Sequence, residues 1–373
     1  MIPSGIQPAL LAVAAYGLKG TLREFPAEPL SDRDWSRMIE HVRTQRLSGL
    51  LMAAVDDGAL PVTDTQRESA RDEHVAAMTH VLLLEDFLIN SVKLLSDAGI
   101  RTRILKGSAV AHLDYGDPSL RPFVDIDLLV ESHAFDDAMK TLFDAGHRRY
   151  FAQIHPDYDR RFGKGASLVS PDGLELDLHR TFAMGPFGLT VDLDSLWESE
   201  QRFGLGATQL SALGPEERLL HACYHASLGD WPPRLLPHRD VAEMLLYGNC
   251  EEERLLRLSA QWGGSAVVAR AIATAWTLFD IADVTALSAW ALRYRIDARD
   301  RNRLGVYTDG NTSFAAKTLA SIRSLPKLRD RLALIRMLAW PKEDFMVNRD
   351  SSRVHWVVAS LRRATGRSTV QSR

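Results

Sequence analysis

Between residues 99 and 212 the spacing of apolar residues leaves the helical period, takes up the strand period, and later returns. Ahead of this stretch, Val81, Leu84, Leu88, Val92 and Leu95 step by three or four positions, the mark of one buried stripe on a helix ending near Asp97. Gly99 stands where such a helix takes a left-handed residue to stop. Within the stretch, Ile100, Thr102 and Ile104 alternate, as do Val124, Ile126 and Leu128, so both segments read as strands. Phe135, Met139, Leu142 and Phe143 return to helical spacing, closed by Gly146. Leu168 and Val169 then face Leu174, Leu176 and Leu178 across Pro171-Asp172-Gly173, a turn signal that predicts a hairpin. The fold expected is α+β: a small mixed or antiparallel sheet flanked by helices, with helical N- and C-terminal regions. The organisation expected is a helical region over residues 1–98, a core over 99–212 and a second helical region over 213–373.

Both outer regions carry helix signals. Ser31 precedes Asp32 and Asp34 as an N-cap with acids in the first turn. Pro215 follows Gly214 as a first helical residue. Further helices are expected over 237–247, 251–261, 264–281, 312–323, 327–340 and 351–364. The run from Ala9 to Tyr16 is too short to span a bilayer and reads as a core helix. No membrane partner or leader peptide is expected, and the tryptophans read as packing between helices.

Composition narrows the function classes. Of 373 residues, 46% are apolar and 25% charged, enough for two or three packed units and unlike a disordered chain. A net charge of −3 excludes nucleic-acid binding by charge alone, and the basic stretch Arg362, Arg363, Arg367 and Arg373 reads as a solvated tail. Only Cys223 and Cys250 are present, with no disulfide framework, which suits a reducing, cytoplasmic setting.

The chemistry is concentrated in the middle region. Residues two apart on a strand face the same way, so Asp125 and Asp127 should point out together, opposite Ile126 and Leu128. Two carboxylates held that close repel unless a cation lies between them, and magnesium, or manganese in its place, is the hard cation for oxygen ligands. In Glu175-Leu-Asp177-Leu-His179 the leucines alternate with polar groups, so Asp177 shares a face with Glu175 and His179. If that strand lies beside the first, Asp177 completes a three-carboxylate cluster. Two magnesium ions held there could clamp an in-line phosphoryl displacement. The bland alternative is a pair of solvated strand faces. Lys106-Gly107-Ser108 lies where a strand passes into a helix, and offers close backbone approach, a hydroxyl and a positive charge to a phosphate. No Walker A motif, dinucleotide fingerprint or nucleophile elbow is present.

The order Lys106-Gly107-Ser108, Arg121-Pro122, Asp125-Ile-Asp127-Leu-Leu-Val130, hairpin, Glu175-Leu-Asp177-Leu-His179 resembles the uncharacterised nucleotidyltransferase family of the DNA polymerase beta-like superfamily. The likeness runs on through Leu193-Asp194-Ser-Leu-Trp197 and Leu219-Leu-His221-Ala-Cys-Tyr-His225-Ala, and covers roughly residues 75–345. Seventeen positions separate Ser108 from Asp125, more than in many members of the superfamily.

The resemblance implies a nucleoside triphosphate donor and magnesium as cofactor. Asp125 and Asp127 would be ligands to both metals. Asp177 would bind the catalytic metal and help activate an acceptor hydroxyl. Gly107 and Ser108 would hold the triphosphate, helped by Lys106 or Arg121. The helix bearing His221 and His225 would border the cleft, with His225 and His179 lining it. Equally, His221 and His225 read as an ordinary half-buried pair; as a zinc half-site they lack a third ligand. Arg234 and Asp240 are expected to pair structurally, with contact to substrate as the alternative, and Gly163-Lys164-Gly165 to be a connection or lid.

The activity expected is transfer of a nucleoside monophosphate to a hydroxyl on a small molecule, peptide or protein, with release of pyrophosphate. A non-catalytic nucleotide-binding or regulatory module, such as a toxin–antitoxin component or pathway scaffold, is the alternative. A kinase-like phosphotransferase is the third.

Overall fold

The two alternating segments become neighbouring strands. In the computed structural model, which describes residues 7–229, 233–308 and 314–340, β2 (Ile126–Val130) and β5 (Glu175–His179) run parallel and side by side. They form the centre of a seven-stranded mixed sheet of order β3-β4-β5-β2-β1-β7-β6. Its other strands are β1 (Thr102–Ile104), β3 (Arg148–Arg149), β4 (Gly165–Val169), β6 (Glu200–Leu205) and β7 (Thr208–Leu213). The β1–β7 pair is parallel, and the β1–β2, β3–β4, β4–β5 and β6–β7 pairs are antiparallel. The Pro171-Asp172-Gly173 turn joins β4 to β5 as its sequence requires, with Gly173 at φ +85°.

Helices α1 (Gln7–Ala15), α2 (Asp32–Gln45), α3 (Ser48–Asp56) and α4 (Asp64–Asp97) precede the sheet. Ser31 caps α2 by accepting from the Asp34 amide, and Thr63 with Gln66 forms a reciprocal box at the start of α4. Inside the sheet's sequence lie α5 (Ser108–Asp114), α6 (Phe135–Asp144) and the single-turn α7 (Tyr158–Arg161). After it come α8 (Pro215–Leu228), α9 (Leu235–Tyr247), α10 (Glu252–Gln261), α11 (Ser265–Phe279), α12 (Ala286–Arg293), α13 (Ala298–Thr308), α14 (Phe314–Ser324) and α15 (Leu328–Ala339).

The sheet is covered on both faces. On one, Val81, Leu84, Leu88 and Leu95 of α4 and Phe135, Ala138 and Leu142 of α6 pack with Ile126, Leu128, Leu176 and Leu178. On the other, Leu129 of β2 joins a larger core built from both ends of the chain, including Leu10, Leu50, Leu220, Tyr224, Val267 and Ile272. Each large aliphatic group fully withdrawn from water here contributes about 1.5–3 kcal/mol. Helix α4 is long and apolar enough to cross a membrane by length and composition alone, but its stripe is the one packed on the sheet.

This double cover corrects one expectation. Asp127 does not face solvent with Asp125: it lies on the Leu129 face and is 1% exposed. Alternation shows which face a side chain takes, not whether that face is wet.

The β6–β7 hairpin and helices α12 and α13 carry no assignment in the sequence reading. The expected helix over 351–364, Trp356, the basic tail, Trp231-Pro232 and the start of the 312–323 helix lie outside the described residues.

Candidate active site

Parallel register sets Asp127 directly beside Asp177, and Leu129 beside His179. Residues 177 and 179 share a strand face, so three polar side chains converge. His179 Nε2 lies 2.9 Å from Asp127 Oδ1 and 3.8 Å from Asp177 Oδ2. Its Nδ1 faces the Thr181 carbonyl at 3.3 Å. Asp127 is buried, His179 is 1% exposed, and Asp177 is half-buried at the rim.

Lys106 binds this centre to the rest of the site. Its Nζ is 3.2 Å from each oxygen of Asp125 and 2.5 Å from Asp127 Oδ2. The last pairs the buried Asp127 carboxylate directly with the ammonium. Arg46 Nη1 reaches Asp125 at 3.9 Å, and Lys164 Nζ reaches Asp177 at 3.7 Å.

The electrostatics follow from these contacts. Burial alone would push the Asp127 carboxyl up, but Lys106, His179 and Lys164 more than reverse it and hold it well below the usual carboxylate range. Burial alone would strip the Lys106 proton, but Asp125 and Asp127 hold its pKa above the ordinary lysine value.

Gly107 shapes the turn between β1 and α5. Its φ of +60° with ψ −117° is a backbone conformation reserved for glycine, and a Cβ there would stand 3.3 Å from the Phe123 ring and 3.5 Å from the Asp125 carbonyl. We expect Gly107→Ala to lower stability by about 1–3 kcal/mol and to displace Lys106. Urea unfolding checks the first effect, and an unchanged midpoint would refute it. Ser108 is buried, and its hydroxyl donates to Glu85 of α4 at 3.2 Å, an oxygen also bound by His112 at 2.8 Å.

Arg121 lies against the same turn, 3% exposed. Its Nε and Nη2 grip Asp240 of α9 at 2.9 and 2.7 Å, and Nη1 donates to the Gly107 carbonyl at 3.3 Å. Tyr115 donates its hydroxyl to the same carboxylate at 2.9 Å. Asp240 is thus paired with Arg121. The planar guanidinium matches the carboxylate in a two-point pairing across the fold. Arg234 lines the cleft with Arg46, Lys106, Gly107, Asp125 and His225.

His221 is buried and His225 half-buried, their rings parallel at 6.4 Å on α8. His225 lies on the wall of this cleft. Burial holds both imidazoles well below the ordinary histidine value. His179, Lys106 and Lys164 lower His221 further; Lys106, His221 and Lys164 do so for His225; Asp127 opposes in both cases. Both rings are thus neutral in the folded chain. Below about pH 6.5 the unfolded chain takes up protons that these rings refuse, so stability falls as the pH drops. His74, His147 and His238, also lowered by burial, add to the same slope. Comparing urea midpoints at about pH 7.5 and 5.5, we expect a smaller loss in His221→Gln/His225→Gln than in the wild type. An equal loss would remove this pair as a cause.

Beyond Asp177 the site opens on its other side. A cleft there is lined by Arg149, Phe151, Tyr158, Lys164, Asp177 and His179, among others. A smaller one includes Asp125, Tyr150, Ser167, Glu175 and Asp177.

Two site residues had no role in the sequence reading. Arg46, at the left-handed end of α2 (φ +59°), gives no local signal. Lys164 sat inside the segment read as a connection or lid. That segment is pinned: the Lys164 carbonyl accepts from the Arg180 amide at 2.8 Å, and a Cβ on Gly165 would stand 1.9 Å from the Leu178 carbonyl.

A divalent cation fits these residues. Asp127, Asp177 and His179 each offer one ligand atom, all within 4.8 Å of one another.

The site thus rests on a helix-flanked mixed sheet, with aspartates in register on two parallel central strands beside a glycine turn. The chain belongs to the uncharacterised nucleotidyltransferase family, whose model matches residues 31–280. That match begins earlier than the motifs suggested and takes in Arg46. A structural search finds similarity to an antigenic nucleotidyltransferase-like protein from Paracoccidioides brasiliensis, at 16% identity and a TM-score of 0.30, over 53% of this chain and 92% of that one. No curated protein sequence matches the chain.

Proposed function

We propose that the chain transfers a nucleoside monophosphate from an NTP to an acceptor hydroxyl and releases pyrophosphate. The observation that carries this reading is the register of Asp127 with Asp177, placed beside the Lys106–Gly107 turn and a cleft lined with cationic side chains. Residues 99–212 supply the reacting centre, and the described helices on either side of it, α1 to α4 and α8 to α15, form the flanking helical regions.

The cleft of Arg46, Lys106 and Arg234 suits the charge of a triphosphate. Gly107, with no side chain, lets the main chain approach it, and Arg121 acts as a positioning residue through the Gly107 carbonyl. The wider cleft beyond Asp177, with Phe151 and Tyr158 on its wall, suits the acceptor. The acceptor oxygen forms a bond to the α-phosphorus as the bond to the bridging oxygen breaks. Pyrophosphate leaves with that electron pair, and the hydroxyl proton passes to Asp177. A divalent cation, magnesium or manganese, held by the aspartates would neutralise charge on the phosphoryl oxygens. The reading suits the cytoplasm, where the free Cys223 and Cys250 stay reduced.

Thermal unfolding with each of the four NTPs, with and without magnesium, tests the donor half. A ligand at about 100 times its Kd adds roughly 2.7 kcal/mol, so we expect a magnesium-dependent rise in Tm with at least one NTP, lost in Asp127→Ala. Mass analysis of the products then separates the chemistries. A nucleotidyl adduct with pyrophosphate supports transfer, a phosphate adduct indicates a kinase, and a Tm shift with no product indicates a binding module. No shift with any NTP would overturn the donor assignment.

A further inference from the structure

We propose, on the nucleotidyl-transfer reading, that the acceptor is the end of a single-stranded nucleic acid. Its phosphates lie on the basic helices α13 to α15, its terminal base on Tyr150 and Phe151, and its terminal hydroxyl at Asp177.

The overall charge of −3 conceals a segregation. Residues 286–340 carry 11 lysines and arginines against 4 aspartates and glutamates, whereas residues 1–285 carry 27 against 41. A basic region on an otherwise acidic chain is the electrostatic footprint of a polyanionic partner. Pairing within the fold does not consume the surplus. Arg299, Arg323, Lys327, Arg329 and Arg336 are exposed, and none of them has an ion pair among the described residues.

The helices that bear this charge back the acceptor cleft. Arg303 of α13 donates to the Pro186 carbonyl at 3.2 Å and lies over the Phe187 ring, and Tyr307 donates to the Met184 carbonyl. Leu334 and Met337 of α15 pack with Tyr158 and Phe162. Met184 and Tyr158 both line the cleft beyond Asp177. Gly163 lines it too, and its carbonyl accepts from Arg180, which is 6% exposed and has no carboxylate partner among the described residues. Inside the cleft the charges balance: Arg149 pairs with Asp159 at 2.8 Å, and Lys164 stands 3.7 Å from Asp177. The cleft therefore suits one nucleoside unit, and the helices around it suit the phosphates that follow.

Tyr150 and Phe151 are 58% and 67% exposed, so they are not core residues. Their rings meet edge to face with centroids 4.7 Å apart. Both line the smaller cleft with Asp177, and Phe151 lines the wider one as well. Large aromatic groups left in water beside a reacting carboxylate offer a stacking surface for a base. A strand end unites a phosphate backbone, a flat base and a free hydroxyl. Its 3′-hydroxyl oxygen bonds the α-phosphorus as the bond to the bridging oxygen breaks. Pyrophosphate leaves with that electron pair, the proton passes to Asp177, and the strand gains a nucleotide.

The probes are end-labelled RNA and DNA oligonucleotides of about 20 nucleotides, long enough to cover the cleft and the helices. Fluorescence anisotropy should show binding that weakens at least about tenfold between about 50 and 200 mM salt. Arg323→Glu/Lys327→Glu/Arg329→Glu should weaken it at least about tenfold and flatten the salt dependence. The magnesium-dependent NTP shift in Tm should survive in that variant, which also shows that it is folded. Phe151→Ala should weaken binding about tenfold and leave the salt dependence as it was. With NTP and magnesium, strands ending in a 3′-hydroxyl should lengthen and strands ending in a 3′-phosphate should not. The RNA and DNA arms show whether the 2′-hydroxyl is read. No binding to either strand, full binding by the charge-reversed variant, or binding without lengthening with any NTP would each overturn the proposal. Leu328, Leu332 and Ile335 are also exposed on α15, so vesicles of phosphatidylcholine and phosphatidylserine are the competing surface. Capture of vesicles without capture of strands would overturn it too. Any of these results with the wild-type NTP shifts intact sinks this inference alone; no NTP shift sinks the transfer reading with it.

Discussion

Asp127→Asn is expected to cut nucleotidyl transfer by at least about 10²–10³-fold, the scale seen when a group that stabilises developing charge is removed. The substitution keeps the shape of the side chain but removes the charge that faces both Lys106 and His179. Lys106 retains Asp125, so the fold has a partner for its buried ammonium. The loss should therefore appear in the rate of pyrophosphate release, with a cooperative unfolding transition preserved. Asp127 is deep while Asp177 stands at the rim, so Asp177→Asn should disturb stability less while still slowing transfer. Transfer at the wild-type rate in Asp127→Asn would remove the buried aspartate from the chemistry altogether.

Arg121→Ala is expected to lower the unfolding free energy by about 3–5 kcal/mol, the cost of leaving one half of a buried ion pair behind. Asp240 would lose its two-point partner and keep the Tyr115 hydroxyl, in a place where its side chain is 4% exposed. Asp240→Ala should cost a similar amount by stranding Arg121. Arg121→Lys should recover little, because an ammonium cannot make the two-point contact to Asp240 and also reach the Gly107 carbonyl. Urea unfolding of the three variants checks this. Full stability in Arg121→Ala with loss of NTP binding would make Arg121 a direct ligand of the triphosphate.

What the sequence disclosed, it disclosed through period and spacing. The alternation around Asp125-Ile-Asp127 and Glu175-Leu-Asp177-Leu-His179 marked two strands and the face each acid takes, and the structure brings Asp127 and Asp177 into register. The Pro171-Asp172-Gly173 turn and the α4 stripe were equally plain. The β6–β7 hairpin was readable but unassigned: Phe203, Leu205, Leu210 and Ala212 alternate around Gly206. Burial of Asp127 was not readable, because it depends on helices from elsewhere in the chain closing over that face. The Arg121–Asp240 and Lys164–Asp177 contacts have no local signature either. Charged residues 119 positions apart carry no mark of their meeting. Arg46 reaches Asp125 only because α2 ends in a left-handed turn.

The core shared by the two ends of the chain bears on the order in which this protein can be made. Arg239 of α9 donates to the Ala14 carbonyl at 3.1 Å, the Leu22 amide donates to the Asp280 carbonyl at 2.9 Å, and α1 packs against α11. During synthesis the first helix emerges from the ribosome more than 250 residues before the surface that buries it is complete. At about 5–20 residues per second that is an interval of roughly 12–50 seconds, in which Leu10, Leu11 and Val13 have no native partner from the far end. The sheet can pair earlier, since all its strands lie between Thr102 and Leu213. Asp127 and Asp177 can thus come into register on a half-built protein, before α8 to α11 add their part of the core on the Leu129 side.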